Sequence, residues 1–405
     1  MVNPKDADCS ASAADLGGAQ SSSGATVKDA GARGSCDVLI VGGGPAGSSC
    51  AWALAGSGLD VCLLDKAEFP RDKVCAGWIT PAVAIELELD LAAYQVGRTL
   101  QPFTGFRTGL IGGAQVLTRY DQVVSYGIRR CEFDEYLLRR CGARLFLHES
   151  CTSLRREGTG WIVNERFLAK CVVGAGGHFC PVARLLGCDE QPTGPVVLAQ
   201  ETEFEMSADE LAACQIQPDV PELFFCSDLQ GYAWCVRKGN FLNIGIGREG
   251  ESHLASHMSV FCDHLRRSGK IDVTTAYRVK GHAYRLYRGQ HRQVAADAVL
   301  LIGDSAGLAY PQSGEGIRPA IESGLMAAAT IRAAGGDYRQ ENLADYSRRL
   351  KLRFGKSSSD RNAPPGAWRQ VLGRRLLTNR WFTRHVVIDR WFLHRQQRPL
   401  VRSTS

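Results

Sequence analysis

Gly42-Gly43-Gly44-Pro45-Ala46-Gly47 carries the sharpest chemical signal in the chain. Glycines spaced G-x-G-x-x-G suit a phosphate-bearing ligand. Gly42 permits a tight turn, Gly44 lets the backbone approach a pyrophosphate, and Gly47 lets a helix pack closely on a strand. Pro45 and Ala46 lie in the turn, and the N-terminus of the helix that follows faces the phosphates. Asp65, with Lys66 beside it, follows 18 positions after Gly47. That separation places a carboxylate where it accepts hydrogen bonds from a ribose diol. Together these residues ask for a dinucleotide.

Such chemistry needs a strand, a turn, a helix and a second strand, and the sequence supplies them in that order. Cys36 to Val41 is a short apolar run rich in β-branched residues, Ser48 to Ala55 is helix-like, and Asp60 to Asp65 is the second strand. Much later, Ala298 to Ile302 forms another buried strand. It runs into Gly303-Asp304-Ser305-Ala306-Gly307, then Gly314-Glu315-Gly316-Ile317 and an Ala-rich helix from Pro319 to about Ala333. This stretch resembles the glutathione-reductase-type flavoproteins, in which a late G-D motif sets an Asp on the ribityl chain of FAD. The resemblance implies FAD, held noncovalently, with Asp304 on its ribityl or pyrophosphate portion. It also implies that Gly314, Gly316 and Ile317 present backbone N–H groups and a helix dipole to the flavin N1/C2=O edge. Reduced flavin is negative there, so a helix N-terminus stabilises it.

Three further stretches narrow the family. Arg130, Phe133, Asp134 and Leu137 fit R-x-x-F-D-x-x-L, similar to the motif of p-hydroxybenzoate-hydroxylase-fold monooxygenases and geranylgeranyl reductases, which implies that Arg130 lies near the FAD. Phe69 to Trp78 resembles the P-x-x-K-x-C-G-G loop of geranylgeranyl reductases, and Gly231 to Lys238 resembles their Y-x-W-x-F-P-K stretch. The resemblance implies that Cys75 sits near the flavin as the candidate proton donor. It likewise sets Trp78, Tyr232 and Trp234 around an apolar cavity for a lipid-like substrate. Taken alone, Tyr232 and Trp234 alternate at period 2 and suit one face of a sheet core equally well.

The fold implied is α/β: a Rossmann-type FAD-binding domain with an inserted α+β antiparallel-sheet substrate domain and a helical C-terminal tail. The activity implied is hydride transfer from reduced FAD to a C=C bond of an isoprenoid or other lipid. No second G-x-G-x-x-G appears, so NAD(P)H is expected as a transient electron donor, with ferredoxin as another candidate. Two other readings share these motifs. One is a monooxygenase or halogenase-like enzyme using O2, although the halogenase W-x-W-x-I-P appears here only as Tyr232, Trp234, Val236 and Arg237. The other is a non-redox flavin-dependent cyclase.

Chain organisation follows from these placements. Residues 1–35, rich in Ala, Ser, Gly and Asp and free of aromatics, are expected as a disordered leader. The FAD-binding domain is expected from 36–97, 126–195 and 290–340, the substrate sheet from 98–125 and 196–289, and a basic helical region from 341–405. Fifteen cysteines without a C-x-x-C pair suggest reduced thiols and a cytoplasmic setting. His253 and His257 share the i, i+4 spacing of some metal sites, but no acid accompanies them on that face and no metal is expected. Nor is a nucleic-acid partner. Residues 348–402 hold 15 Lys+Arg and 2 Asp+Glu, so the tail carries +13 against −7 for the remainder. Leu377, Trp381, Ile388 and Phe392 recur at helical spacing among arginines, which suits either an interfacial helix on an anionic membrane or a terminal helix packed on the body.

Overall fold

The computed structural model describes residues 34–187, 196–250, 253–271, 278–287, 289, 292–355 and 367–401. The expected leader lies outside these residues, except Gly34 and Ser35, which already belong to the first strand. That strand, β1 (Gly34–Val41), is the centre of a parallel array. It pairs with β2 (Val61–Leu64) on one side and with Phe167–Gly174 on the other. Val299–Leu301 and Arg144–Phe146 extend the array outward, again in parallel. Val38, Leu39 and Ile40 are buried on both faces, which explains why β1 reads as a continuous apolar run.

α1 (Pro45–Leu54) leaves β1 through the glycine turn and packs against the helix Ile317–Ala333. Their backbones touch: a Cβ at Gly324 would lie 2.4 Å from the Ala46 carbonyl oxygen. Neither helix has a side-chain cap at its N-terminus, where Gly44 and Gly316 stand.

A second sheet has seven strands, ordered Lys280–Arg285, Val196–Glu205, Phe241–Glu249, Gly231–Lys238, Glu222–Phe225, Gly105–Leu110 and Gln115–Arg119. The sequence predicts an antiparallel sheet, and every pairing is antiparallel except that of Glu222–Phe225 with Gly105–Leu110. The chain enters this sheet on two separate excursions, and the parallel step is the seam between them. The helix Leu254–Arg267 covers one face, burying Leu254, Met258, Phe261 and Leu265. A three-stranded sheet of Trp78–Ile79, Ser125–Gly127 and Gln101–Phe103 joins the two larger layers.

The tail departs from the single amphipathic helix that its spacing suggests. A helix at Ala367–Leu376 ends before Asn379, which caps a new turn, Arg380–Phe382, continuing as a π-helix over Thr383–Phe392. Leu377, Ile388 and Phe392 turn inward and join an apolar cluster with Trp78, Phe106 and Phe225, while Trp381 is 66% exposed. Most of the apolar stripe is therefore core. Among the described residues no helix is long and apolar enough to cross a membrane.

Candidate functional site

A cavity of about 370 Å³ opens where the parallel strands end and the second sheet lies across them. The turns after β1, Phe167–Gly174 and Val299–Leu301 all reach it, which is the crevice position at which open α/β sheets take ligands. Every residue singled out above for cofactor, catalysis or substrate lines this cavity except Gly47.

At one end stands the glycine turn. Gly42 has φ +118°, and a Cβ there would strike the Ala175 backbone. Gly47 lies behind the wall, where a Cβ would come within 1.9 Å of the Gly42 oxygen. Its role is to bring helix and strand together rather than to touch a ligand. Asp65 accepts from the Gly43 N–H at 2.6 Å and the Ala67 N–H at 2.9 Å, so its carboxylate is fixed beside the turn. Lys66 is exposed at the rim.

Across the cavity a charged group surrounds Asp304. Lys73 Nζ lies 2.7 Å from His282 Nε2, which in turn lies 3.6 Å from Asp304 Oδ2. Burial works to raise the Asp304 carboxyl, but the His282 ring and the Lys73 ammonium outweigh it and hold it below its usual value. Burial pushes Lys73 down to about 8 despite Asp304, with Arg130 and Arg71 adding to the effect. His282 is lowered by burial first and by Lys73 as well, although Asp304 pulls the other way. Nothing marked His282 in the sequence, because it stands on an edge strand outside any motif; Lys73 was inside the cysteine loop but carried no assigned role.

Arg130 donates two 2.8 Å hydrogen bonds to the fully buried Asp134, and Arg71 reaches the same carboxylate at 3.2 Å. The R-x-x-F-D spacing thus builds a rigid i, i+4 pair on the Arg130–Arg139 helix that fixes the guanidinium at the cavity edge. The cysteine loop is held from beneath. Cys75 donates its N–H to Glu201 at 2.7 Å, and Asn243 donates to the Cys75 carbonyl at 3.1 Å. Trp234 Nε1 orients Asn243 at 2.6 Å, and Lys238 meets Glu203 at 2.7 Å. Burial, reinforced by Glu203, pushes Glu201 up to about 8. Sequence reasoning missed this network, since polar residues in a strand read as an outward face. Gly77, with φ +68°, is required because a Cβ would meet the Ile128 carbonyl and Lys238.

The remaining wall is aromatic. Trp78, Tyr232, Trp234 and Tyr284 line it, with Phe392 of the tail 5.2 Å from Tyr232 and 6.2 Å from Trp78, centroid to centroid. Tyr232 spends its hydroxyl on the Ser313 carbonyl at 2.6 Å, in the loop before Gly314. Tyr232 and Trp234 are thus both sheet core and cavity wall.

These residues fit a flavin dinucleotide. Two uncapped helix N-termini face one cavity, two carboxylates flank them, and Gly42 and Gly314 admit no Cβ: at Gly314, with φ +66°, it would sit 2.4 Å from the Tyr284 hydroxyl. The arrangement can neutralise phosphate and flavin charge at one end and keep water from an apolar group at the other.

Comparison with known proteins agrees. A family model described as FAD dependent oxidoreductase matches residues 37–114. Menaquinone reductase of Mycobacterium tuberculosis is 30% identical over 316 residues, covering 73% of this chain and 76% of that protein. Digeranylgeranylglycerophospholipid reductase of Methanocaldococcus jannaschii is 26% identical over 330 residues, covering 78% and 82%. In structure, a geranylgeranyl bacteriochlorophyll reductase-like protein from Thermoplasma acidophilum superposes with a TM-score of 0.67 at 20% identity, covering 85% of this chain and 88% of that one.

Proposed function

The chain belongs to the geranylgeranyl reductase-like family of FAD-dependent oxidoreductases, and from that premise we propose that it reduces C=C bonds in the isoprenoid chain of a lipid or lipid-like quinone. The observation that carries this reading is the two-ended cavity, with its dinucleotide cradle at one end and its aromatic wall at the other. The substrates named for the two relatives share a polyisoprenoid chain, which gives such a wall something to hold.

FAD, when bound, would supply the redox chemistry of moving a hydride from NAD(P)H to an alkene carbon. Gly42, Gly44, Pro45 and Ala46 would hold the pyrophosphate with the α1 amides, and Asp65 and Lys66 would take the ribose end. Asp304 would hold the ribityl chain, Arg130 would lie by the flavin, and Gly314, Gly316 and Ile317 would meet its pyrimidine edge. Cys75 gives a proton to the neighbouring carbon. Trp78, Tyr232 and Trp234 keep the alkene dry, so that hydride is not lost to solvent.

We also assign the tail a contact with an anionic membrane. What supports it is a surface where Trp368, Val371, Leu372 and Trp381 are exposed beside Arg374, Arg375, Arg380 and Arg384. An anaerobic assay tests the reaction. NAD(P)H oxidation should depend on added isoprenoid lipid and proceed without O2. An absolute need for O2 would favour an oxygenase, and turnover without net NAD(P)H loss a cyclase.

A further inference from the structure

Glu315 stands between the two glycines of the turn from which the Ile317–Ala333 helix springs, on the cavity wall. Its side chain is 7% exposed, and both carboxyl oxygens are buried without a hydrogen-bond partner. The nearest basic group is His394 of the tail, whose Nε2 lies 3.6 Å away, is itself buried and unpartnered, and belongs to a ring stacked at 3.7 Å on Tyr310.

A carboxylate so deeply buried carries a heavy desolvation cost that the Arg318 backbone N–H turned toward it offsets only in part, so this site favours the neutral acid. Burial pushes Glu315 up to about 7; Arg318 in the helix's first turn opposes that, and Glu322 one turn later reinforces it. His394 offers no compensating cation, because burial, with Arg318 adding, holds it down to about 3. Tyr232 and Tyr310, facing from the second sheet and the preceding loop, are held far above neutrality chiefly by burial. Among these neighbours, then, Glu315 is the group whose proton is exchangeable near neutral pH.

We propose that Glu315 is a redox-linked proton acceptor, taking a proton from solvent as the adjacent flavin is reduced, so that the turn meets reduced flavin with a neutral acid instead of a carboxylate. The inference rests on the reading that FAD lies in this cavity with its N1/C2=O edge at the Gly314–Gly316 turn. The step balances. Hydride from NAD(P)H brings two electrons and one proton and converts FAD to FADH⁻; a second proton, from water, converts the Glu315 carboxylate to the acid. When the substrate removes the hydride, Glu315 returns its proton to solvent. Burial places the carboxyl near 7, and negative charge on reduced flavin raises it further, so uptake spans the interval between its values beside oxidised and reduced flavin.

The midpoint potential of the FAD-loaded protein, titrated with dithionite from pH 6 to 9, tests this. One proton per two electrons gives about 30 mV per pH unit, and two protons give about 59 mV. The wild type should steepen toward the larger slope above pH 7. Glu315→Gln should stay near the smaller slope throughout, and Glu315→Asp, which keeps a titratable carboxyl, should retain a steep section. Protonation of the flavin itself is common to all three proteins, so the difference isolates the side chain. A wild-type slope near 30 mV throughout, or a Glu315→Gln curve that superimposes on a steep wild-type curve, overturns the proposal. If Glu315→Gln releases its flavin, the wild type and Glu315→Asp carry the comparison. A wild-type protein that never binds FAD would instead refute the flavin reading, before any potential is measured.

Discussion

Cys75 is anchored chiefly by its backbone, since Glu201 and Asn243 hold the N–H and the carbonyl, while its sulfur accepts from the Gly77 N–H at 3.4 Å, a bond a serine hydroxyl can also accept. Replacing the sulfur should therefore leave the loop in place. For Cys75→Ser we expect retained FAD, retained reduction by the donor, and lipid reduction slower by on the order of 100-fold, because a general acid with a much higher pKa is a poor donor. Wild-type turnover in that variant would move the proton source elsewhere. Asp304→Asn should weaken FAD by about 1.5–3 kcal/mol, roughly 10- to 150-fold in Kd, as a charge-assisted bond is lost; unchanged affinity by flavin-release titration would remove Asp304 from the site. At this scale the motifs were legible where backbone geometry forces a residue type. Gly42, Gly47, Gly314 and Asp65 are examples, since a turn, a close approach or a pair of amides dictates each. His282, Glu201 and Asn243 were not legible. Their roles come from facing another segment across the cavity, and no local spacing encodes that.

Elements tell the same story with one reversal. α1 and the Ile317–Ala333 helix must meet backbone to backbone to aim both N-termini at one cavity, and Gly324 is where they do so, while Gly47 seats α1 on the turn after β1. Gly47→Val should yield protein without flavin; a yellow Gly47→Val protein with normal affinity would show that the turn tolerates displacement. The tail is the reversal. Helical spacing in 377–392 marked an apolar face correctly, but could not say whether lipid or protein covers it, because both reward the same periodicity. The second sheet covers it. Phe392→Ala should cost about 3–5 kcal/mol of stability, as an aromatic is lost from a closed core, read as a drop in denaturation midpoint. Trp368→Ala with Trp381→Ala should abolish salt-sensitive sedimentation with anionic vesicles while FAD stays bound. Equal vesicle binding by the double variant, or none by the wild type, would leave the exposed patch without its assigned partner.

Over the whole molecule, charge and shape divide the work. A body of net −7 carries the cavity, and a tail of net +13 folds back over its aromatic wall with Phe392 and presents arginines outward. The central claim is that hydride from the flavin in this cavity saturates an isoprenoid chain. Its most direct measurement is a single anaerobic turnover: protein reduced stoichiometrically with dithionite, mixed with digeranylgeranylglycerophospholipid or menaquinone, followed by flavin absorbance and by the mass of the recovered lipid. The flavin should reoxidise without O2, and the lipid should gain two hydrogens in its isoprenoid chain for each flavin oxidised. Flavin that stays reduced with both lipids, or that reoxidises while the chain keeps every double bond, would contradict it.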